Sequence, residues 1–254
     1  MFEKLFLKLS GRLDLPRLKI ISGCDNLRFK SFVNHQIFAQ TRGAEYSWKF
    51  NVIANGENPY VRKIDLIERE IGSSDWLFWI DDDAYFTDFS WDIMSYIEKF
   101  SGVDLVICKS PVNEGRWTFI SSGQFFLKST RRALDFLKAV KSTQLTLVRE
   151  WWNEERYGLY TGGDQDLMVY VLSTDDRFKE GKFFIRMDYP EFNSREFHYM
   201  KFPDQHRLLH LASNVTPKVK LLENFRQRFS LNEFLVPDAI LDKFQVENYR
   251  KMRI

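Results

Sequence analysis

The sequence predicts an α/β protein: a mixed, mainly parallel sheet flanked by helices, continued at its C-terminus by a basic helical annex. Three observations predict it. Short apolar runs of strand length alternate with longer amphipathic segments from Leu18 to Trp79, the βαβα order that goes with parallel pairing. The runs carry Ile, Val, Phe and Trp with little polar alternation, as do strands covered on both faces. With 254 residues, 44% hydrophobic, 16% aromatic and 28% charged, the chain is long enough to bury one large core and is not a disordered composition.

Leu18 to Cys24 (LKIISGC) reads as the first strand, closed by a turn over Gly23 to Asn26. Ligands in open α/β sheets bind beyond the carboxyl ends of strands, which makes this turn a wall of any site. Ser31 to Arg42 reads as a helix, Tyr46 to Ala54 as the second strand, and Asn55 to Pro59 as a loop of turn formers. Tyr60 to Ile71 has helical spacing, with Val61, Ile64, Leu66 or Ile67, and Ile71 facing inward. Lys63 on that helix is either solvated, as most helix lysines are, or aimed at a diphosphate.

The third strand, Asp75 to Ile80, is aromatic and β-branched and runs straight into Asp81, Asp82 and Asp83 within WIDDDAYF. Adjacent carboxylates repel one another unless a cation sits among them, and Mg²⁺ or Mn²⁺ is what such oxygens hold best. Continued strand alternation would put Asp81 and Asp83 on one face and Asp82 on the other.

Trp91 to Phe100 follows as a helix, Val103 to Lys109 as a strand and Pro111 to Gly115 as a loop. In Arg116 to Lys128 (RWTFISSGQFFLK) the small polar group Ser121-Ser122-Gly123-Gln124 breaks an apolar strand. The break suits either a bulge or a backbone that a sugar must approach closely. Thr130 to Val140 and much of Thr143 to Trp152 read as helices. Gly162-Gly163 then precede Asp164, Gln165 and Asp166 at a helix start, where one carboxylate suffices as a cap and the rest are acceptors for sugar hydroxyls. Lys182 to Asp188 and Arg207 to Ala212 are strands, the latter holding His210 among leucines, a setting more typical of a core histidine than of a ligand. From Pro217 the chain is helical and basic, with Lys218, Lys220, Arg226, Arg228, Lys243, Arg250, Lys251 and Arg253. The division is therefore 1–16, an amphipathic N-terminal segment; 17–216, the main α/β domain; and 217–254, the annex.

A net charge of +2 and a pI near 8.4 give no polyanion signature, so no nucleic acid is expected. Cys24 and Cys108 sit in apolar runs and read as buried thiols of a reducing compartment, without a disulfide. No run approaches the roughly 20 apolar residues of a membrane span. A cytoplasmic protein is expected, with peripheral contact to an anionic membrane one reading of Phe2, Leu5, Phe6 and Leu9 on a single helical stripe, and docking of that helix on the core the other.

The ordered set of an apolar strand ending in Asp-x-Asp, the Ser122 to Leu127 strand, the Asp164-Gln165 pair and a late histidine resembles GT-A fold glycosyltransferases over about Leu18 to Asn214. The likeness is to the retaining galactomannan galactosyltransferase and xyloglucan xylosyltransferase type. It implies a Rossmann-like catalytic domain, Asp81, Asp83 and His210 as ligands of Mn²⁺ or Mg²⁺, and a nucleoside diphosphate sugar, UDP-hexose in first place, as donor. It implies Gln165 near the reacting carbon, Asp164 and Asp166 beside it in the catalytic group, and Lys63, Asp82 and Gly123 on the donor-binding surface. A glycan or glycolipid is the implied acceptor, and whichever of Trp117, Trp151, Trp152 and Tyr160 are exposed are candidates to stack on it. Asp82 stands where relatives carry a small or polar residue, and Ser121-Ser122-Gly123 replaces an Asn-containing pattern. These departures, with no Golgi anchor in view, point to a cytoplasmic, microbial enzyme. Two other readings stay open: an inverting transferase with Asp164 or Asp166 as general base, and a carbohydrate-binding scaffold that holds no metal.

Overall fold

A computed structural model of the protein describes residues 15–50, 59–113, 115–213 and 216–245. The amphipathic stripe within 1–14, the end of the expected second strand and the loop over 51–58, and the basic tail beyond 245 lie outside the described residues. The elements are β1 (Leu18–Cys24), α1 (Ser31–Arg42), β2 (Glu45–Phe50), α2 (Pro59–Glu70), β3 (Trp76–Ile80), β4 (Ala84–Phe86), α3 (Ile93–Glu98), β5 (Leu105–Cys108) and β6 (Gln124–Lys128). Then come α4 (Arg131–Ser142), α5 (Leu145–Trp151), α6 (Glu154–Tyr157), α7 (Asp164–Thr174), β7 (Phe184–Met187), α8 (Glu196–Tyr199), β8 (Leu208–His210), α9 (Lys218–Arg228) and α10 (Asp238–Lys243).

Six strands form one sheet in the order β2-β1-β3-β6-β5-β7, and β6 alone runs against the others. Strand alternation sorts the side chains onto two buried faces. Ile21, Leu77, Trp79, Ile107 and Phe125 pack under α2, α4 and α7. Ile20, Phe78, Ile80, Val106 and Phe126 pack under α1 and α3. All five residues of β3 are buried, because both faces are covered.

β4 and β8 leave the main sheet and pair antiparallel as a separate ribbon, with Ala84 opposite His210. This register brings Asp83 and His210 together across the ribbon. Two polar residues of α1 hold it: Asn34 donates to Phe86 O and accepts from Phe86 N at 3.0 and 2.8 Å, and His35 Nε2 meets Ala84 O at 2.8 Å. Beyond the ribbon, Leu221 and Phe225 of α9 pack on Tyr85 and Leu209, so the annex is seated on the strands that carry the site.

Among the described residues no helix is long and apolar enough to cross a membrane. Both cysteines are free; Cys108 is buried as expected, whereas Cys24 is only half-buried at the end of β1.

Candidate functional site

Asp81, Asp82 and Asp83 do not continue the strand. β3 ends at Ile80, and the triplet is a turn closed by Ala84 N donating to Asp81 O at 3.2 Å. Strand alternation therefore does not set the facing of these side chains. The turn does: it is pinned at its middle by Ser31 Oγ donating to Asp82 O at 2.6 Å, and at its start by Asp81 N donating to Gly123 O at 2.8 Å. Two clefts of about 220 and 230 Å³ meet at Asp81. Gly123, Gln165, Arg195 and His210 line the first, while Gly23, Cys24, Tyr60, Lys63, Asp82 and Asp164 line the second.

Ligating atoms of Asp81, Asp83 and His210 all lie within 4.8 Å of one another. Three observations show that this trio fits a divalent cation. Asp83 Oδ1 is buried without a hydrogen-bond partner, an arrangement costly for a carboxylate unless a ligand completes it. A side chain at Gly123 would put its Cβ 2.7 Å from His210 Cε1 and 3.2 Å from Asp81 Oδ2, so only glycine leaves the space open. Two carboxylates and an imidazole are a donor set suited to Mn²⁺ and, with fewer nitrogens, to Mg²⁺.

The charges around the trio are set by burial and by two lysines. Burial, aided by Arg195, pushes His210 down to about 4, so its imidazole is neutral at pH 7. Its Nδ1 faces both an acceptor, Asn193 Oδ1 at 2.9 Å, and a donor, Arg195 Nη1 at 2.7 Å, so either tautomer finds a partner there, and its Nε2 faces Asp83 Oδ1 at 3.5 Å. Burial pushes Asp81 up to about 6, against the pull of Lys63. Burial and the two neighbouring carboxylates push Asp82 up to about 7. Burial works on Asp83 in the same direction, but His210 and Lys218 outweigh it and hold the carboxyl below its ordinary range.

Lys63 is not a free cation waiting for a diphosphate. Its Nζ lies 3.0 Å from Asp164 and 3.2 Å from Asp81, and donates to Ser122 O at 2.6 Å. Burial alone would lower it; the two carboxylates more than reverse that and raise it. Lys63 thus ties α2, the acidic turn, the turn before β6 and the start of α7 into one unit. Trp79 Nε1 adds a hydrogen bond to Asp81 Oδ1 at 2.6 Å.

The start of α7 divides its three polar residues. Asp164 pairs with Lys63, and Gln165 Oε1 accepts from Ser122 N at 3.3 Å on the floor of the first cleft. Asp166 turns inward and is fully buried. Its Oδ2 accepts from Thr161 N and Gly162 N at 2.8 and 2.5 Å and from Thr161 Oγ1 at 3.0 Å. Asp166 organises the loop before the helix, as a cap does, and is not among the residues lining either cleft. Of the four candidate rings, Trp117 lines the first cleft and is 36% exposed. Trp151, Trp152 and Tyr160 pack instead against the core under α7, where rings gain more by burial than by exposure.

Two site residues gave no sequence signal. Lys218 was one charge in a basic helix, yet it reaches Asp83 Oδ2. Arg195 stood in an unremarkable loop, yet its Nη1 lies 2.7 Å from His210 Nδ1.

No family model matches the chain. It is 22% identical over 180 residues to "Probable glycosyltransferase 6" of Oryza sativa subsp. japonica, covering 66% of this chain and 37% of that one. It is 24% identical over 203 residues to "Xyloglucan 6-xylosyltransferase 1" of Arabidopsis thaliana, covering 68% and 42%, and 24% identical over 188 residues to "Xyloglucan 6-xylosyltransferase 2" of the same plant, covering 63% and 39%. The chain spans about two fifths of the length of these curated relatives. Among solved structures, "a glycosyltransferase involved in the glycosylation of the major capsid of PBCV-1" superposes with a TM-score of 0.62 at 16% identity, covering 83% of this chain and 100% of that one. The fold is of the GT-A type.

Proposed function

We propose that the protein is a metal-dependent, retaining glycosyltransferase that moves a hexose or pentose from a nucleoside diphosphate sugar, UDP-hexose in first place, to a glycan or glycolipid acceptor. The observation that carries this reading is the convergence of Asp81, Asp83 and His210 with Lys63, Asp164 and Gln165 at the junction of two clefts in a GT-A fold. The likeness to named glycosyltransferases supports it.

A divalent cation held by Asp81, Asp83 and His210 supplies positive charge for a departing diphosphate. The chain's own groups do the rest. Lys63 fixes the direction of Asp81 and Asp164, leaving Asp164 to accept from donor-sugar hydroxyls. Gly23, Cys24 and Tyr60 wall the second cleft, at the end of β1 where a nucleoside fits the general rule for open sheets. Gln165 lines the first cleft, and an amide there orients and stabilises charge without acting as a base. Retention fits this surface. Asp166 is spent on its own loop, and Asp164 is held by Lys63, so the departing phosphate oxygen is left as the acceptor's proton sink.

The test is hydrolysis of a nucleotide-sugar panel in Mn²⁺, followed by NMR of the released or transferred sugar. Turnover of one donor with an α-product from an α-donor is expected. A β-product contradicts retention and returns the general-base question to Asp164. No turnover, with no Mn²⁺-dependent UDP binding, contradicts the activity and favours a scaffold. A cytoplasmic site with peripheral membrane contact belongs to the same proposal, and partition between pellet and supernatant with and without detergent tests it.

A further inference from the structure

Arg195 is buried to 4% exposure, yet it forms part of the wall of the first cleft. Its guanidinium meets only neutral groups: Asn193 Oδ1 at 2.8 Å, His210 Nδ1 at 2.7 Å and Ser110 Oγ at 3.3 Å. No carboxylate among the described residues forms an ion pair with it, although fifteen of their other lysines and arginines do. Asp83 and Glu196 lie near enough to favour its charge without touching it, and a buried guanidinium with no carboxylate in contact is costly, by several kcal/mol per ion in general. Planar forked N–H donors are the usual receptor for carboxylate and phosphate.

A second cation lines the same cleft. Arg116 is exposed and lines the first cleft, on a loop tied down by the Asn113–Arg116 backbone pair at 2.8 and 2.9 Å and by Asn113 Nδ2 donating to Ala212 O at 3.2 Å. Beside it, Trp117 is fixed by Leu159 N donating to Trp117 O at 2.8 Å, and a Cβ at Gly158 would fall 2.2 Å from that oxygen. The cleft therefore offers two guanidinium groups and an indole, while the one carboxylate lining it, among the described residues, is Asp81.

We propose that Arg195, Arg116 and Trp117 form a subsite for a negatively charged sugar residue, a uronate or a sugar phosphate, so that the acceptor is an acidic glycan. The inference rests on the transferase reading and narrows its acceptor. The ring lies on the indole face, and its anionic group takes the N–H donors left toward the cleft.

Protein saturated with Mn²⁺ and UDP is titrated by NMR with methyl glucoside, methyl glucuronide and glucose 6-phosphate. One or both acidic sugars bind at least about tenfold more tightly than the glucoside, and which of them leads separates carboxylate from phosphate. Arg195→Gln keeps a hydrogen-bonding group but removes the charge, and Arg116→Gln touches no proposed metal ligand; each shrinks the preference. Equal binding of the three sugars, or a preference unchanged in both variants, overturns the proposal. Weaker UDP binding in Arg195→Gln at an unchanged acidic-to-neutral ratio also overturns it, by assigning the guanidinium to the donor's diphosphate. If wild type fails to bind UDP, the same titration without nucleotide still decides: an acidic preference keeps the subsite and removes the transferase, and its absence removes both.

Discussion

The ammonium of Lys218, at the start of the annex helix, rests on Asp83 Oδ2, while Oδ1 of the same carboxylate lies 3.5 Å from His210 Nε2. A lysine thus neutralises, from outside the main sheet, one of the carboxylates offered to a cation. Without a metal this contact is a partly buried ion pair; with one, the lysine and the cation share Asp83.

Lys218→Ala accordingly destabilises the metal-free protein more than the metal-bound one. Removing one partner of such a pair costs up to about 3 kcal/mol, and a divalent cation restores the missing charge. Melting in EDTA and in Mn²⁺ checks this: the deficit of the variant narrows in Mn²⁺. An equal deficit in both makes Lys218 a purely structural tether.

Gly123→Ala tests the space between the ligands. Its new methyl would fall 2.7 Å from His210 Cε1, so the ring must move to admit it. Metal affinity drops by about tenfold or more, with little loss of melting temperature in EDTA. Unchanged Mn²⁺ affinity by titration calorimetry would remove His210 from the ligand set.

Lys63→Ala leaves Asp81 and Asp164 facing each other without their shared counter-ion. The cost is about 3 kcal/mol or more, and Lys63→Ala combined with Asp164→Asn regains part of it, because the second change removes one of the stranded charges. Denaturant melts of Lys63→Ala, Asp164→Asn and the double variant decide; strict additivity of the two single losses contradicts the bridging role.

Asp82 carries a pH signature. Its pKa in the folded chain is about 7, raised by burial and by Asp83 and Asp81, against about 3.9 unfolded. Between these values the folded state holds the extra proton, so stability is highest below about pH 4 for this group and is lost as pH rises toward 7. Asp82→Asn removes the penalty and stabilises the metal-free protein at pH 8 by up to about 4 kcal/mol, about three pKa units at 1.36 kcal/mol each, with the gain vanishing at acid pH. A gain independent of pH would mean the carboxylate is not strained by its neighbours.

Much of the fold was legible in the sequence because it rests on local pattern. β1 and α1 span the residues expected of them, and Ile64 and Ile67 face inward as their spacing requires. The acidic triplet was legible as a cluster but not as a turn, since WIDDDAYF reads as one strand until Ser31 Oγ and Gly123 O are seen to bend it. The position of Asp166 was hidden for a related reason: a cap at the third position of a helix and a carboxylate for sugar hydroxyls share the same residue type. Lys218 and Arg195 were invisible because their significance lies in contacts across 135 and 15 residues, which no local spacing records.

The central claim is that Asp81, Asp83 and His210 hold a divalent cation through which a nucleoside diphosphate is bound. Calorimetric titration of UDP into the protein, in Mn²⁺ and in EDTA, with wild type and Asp83→Ala, tests it most directly. The account predicts binding for wild type in Mn²⁺, and its loss both in EDTA and in the variant, whose fold remains intact by circular dichroism. UDP affinity that is the same with and without metal, or undiminished in Asp83→Ala, would contradict it.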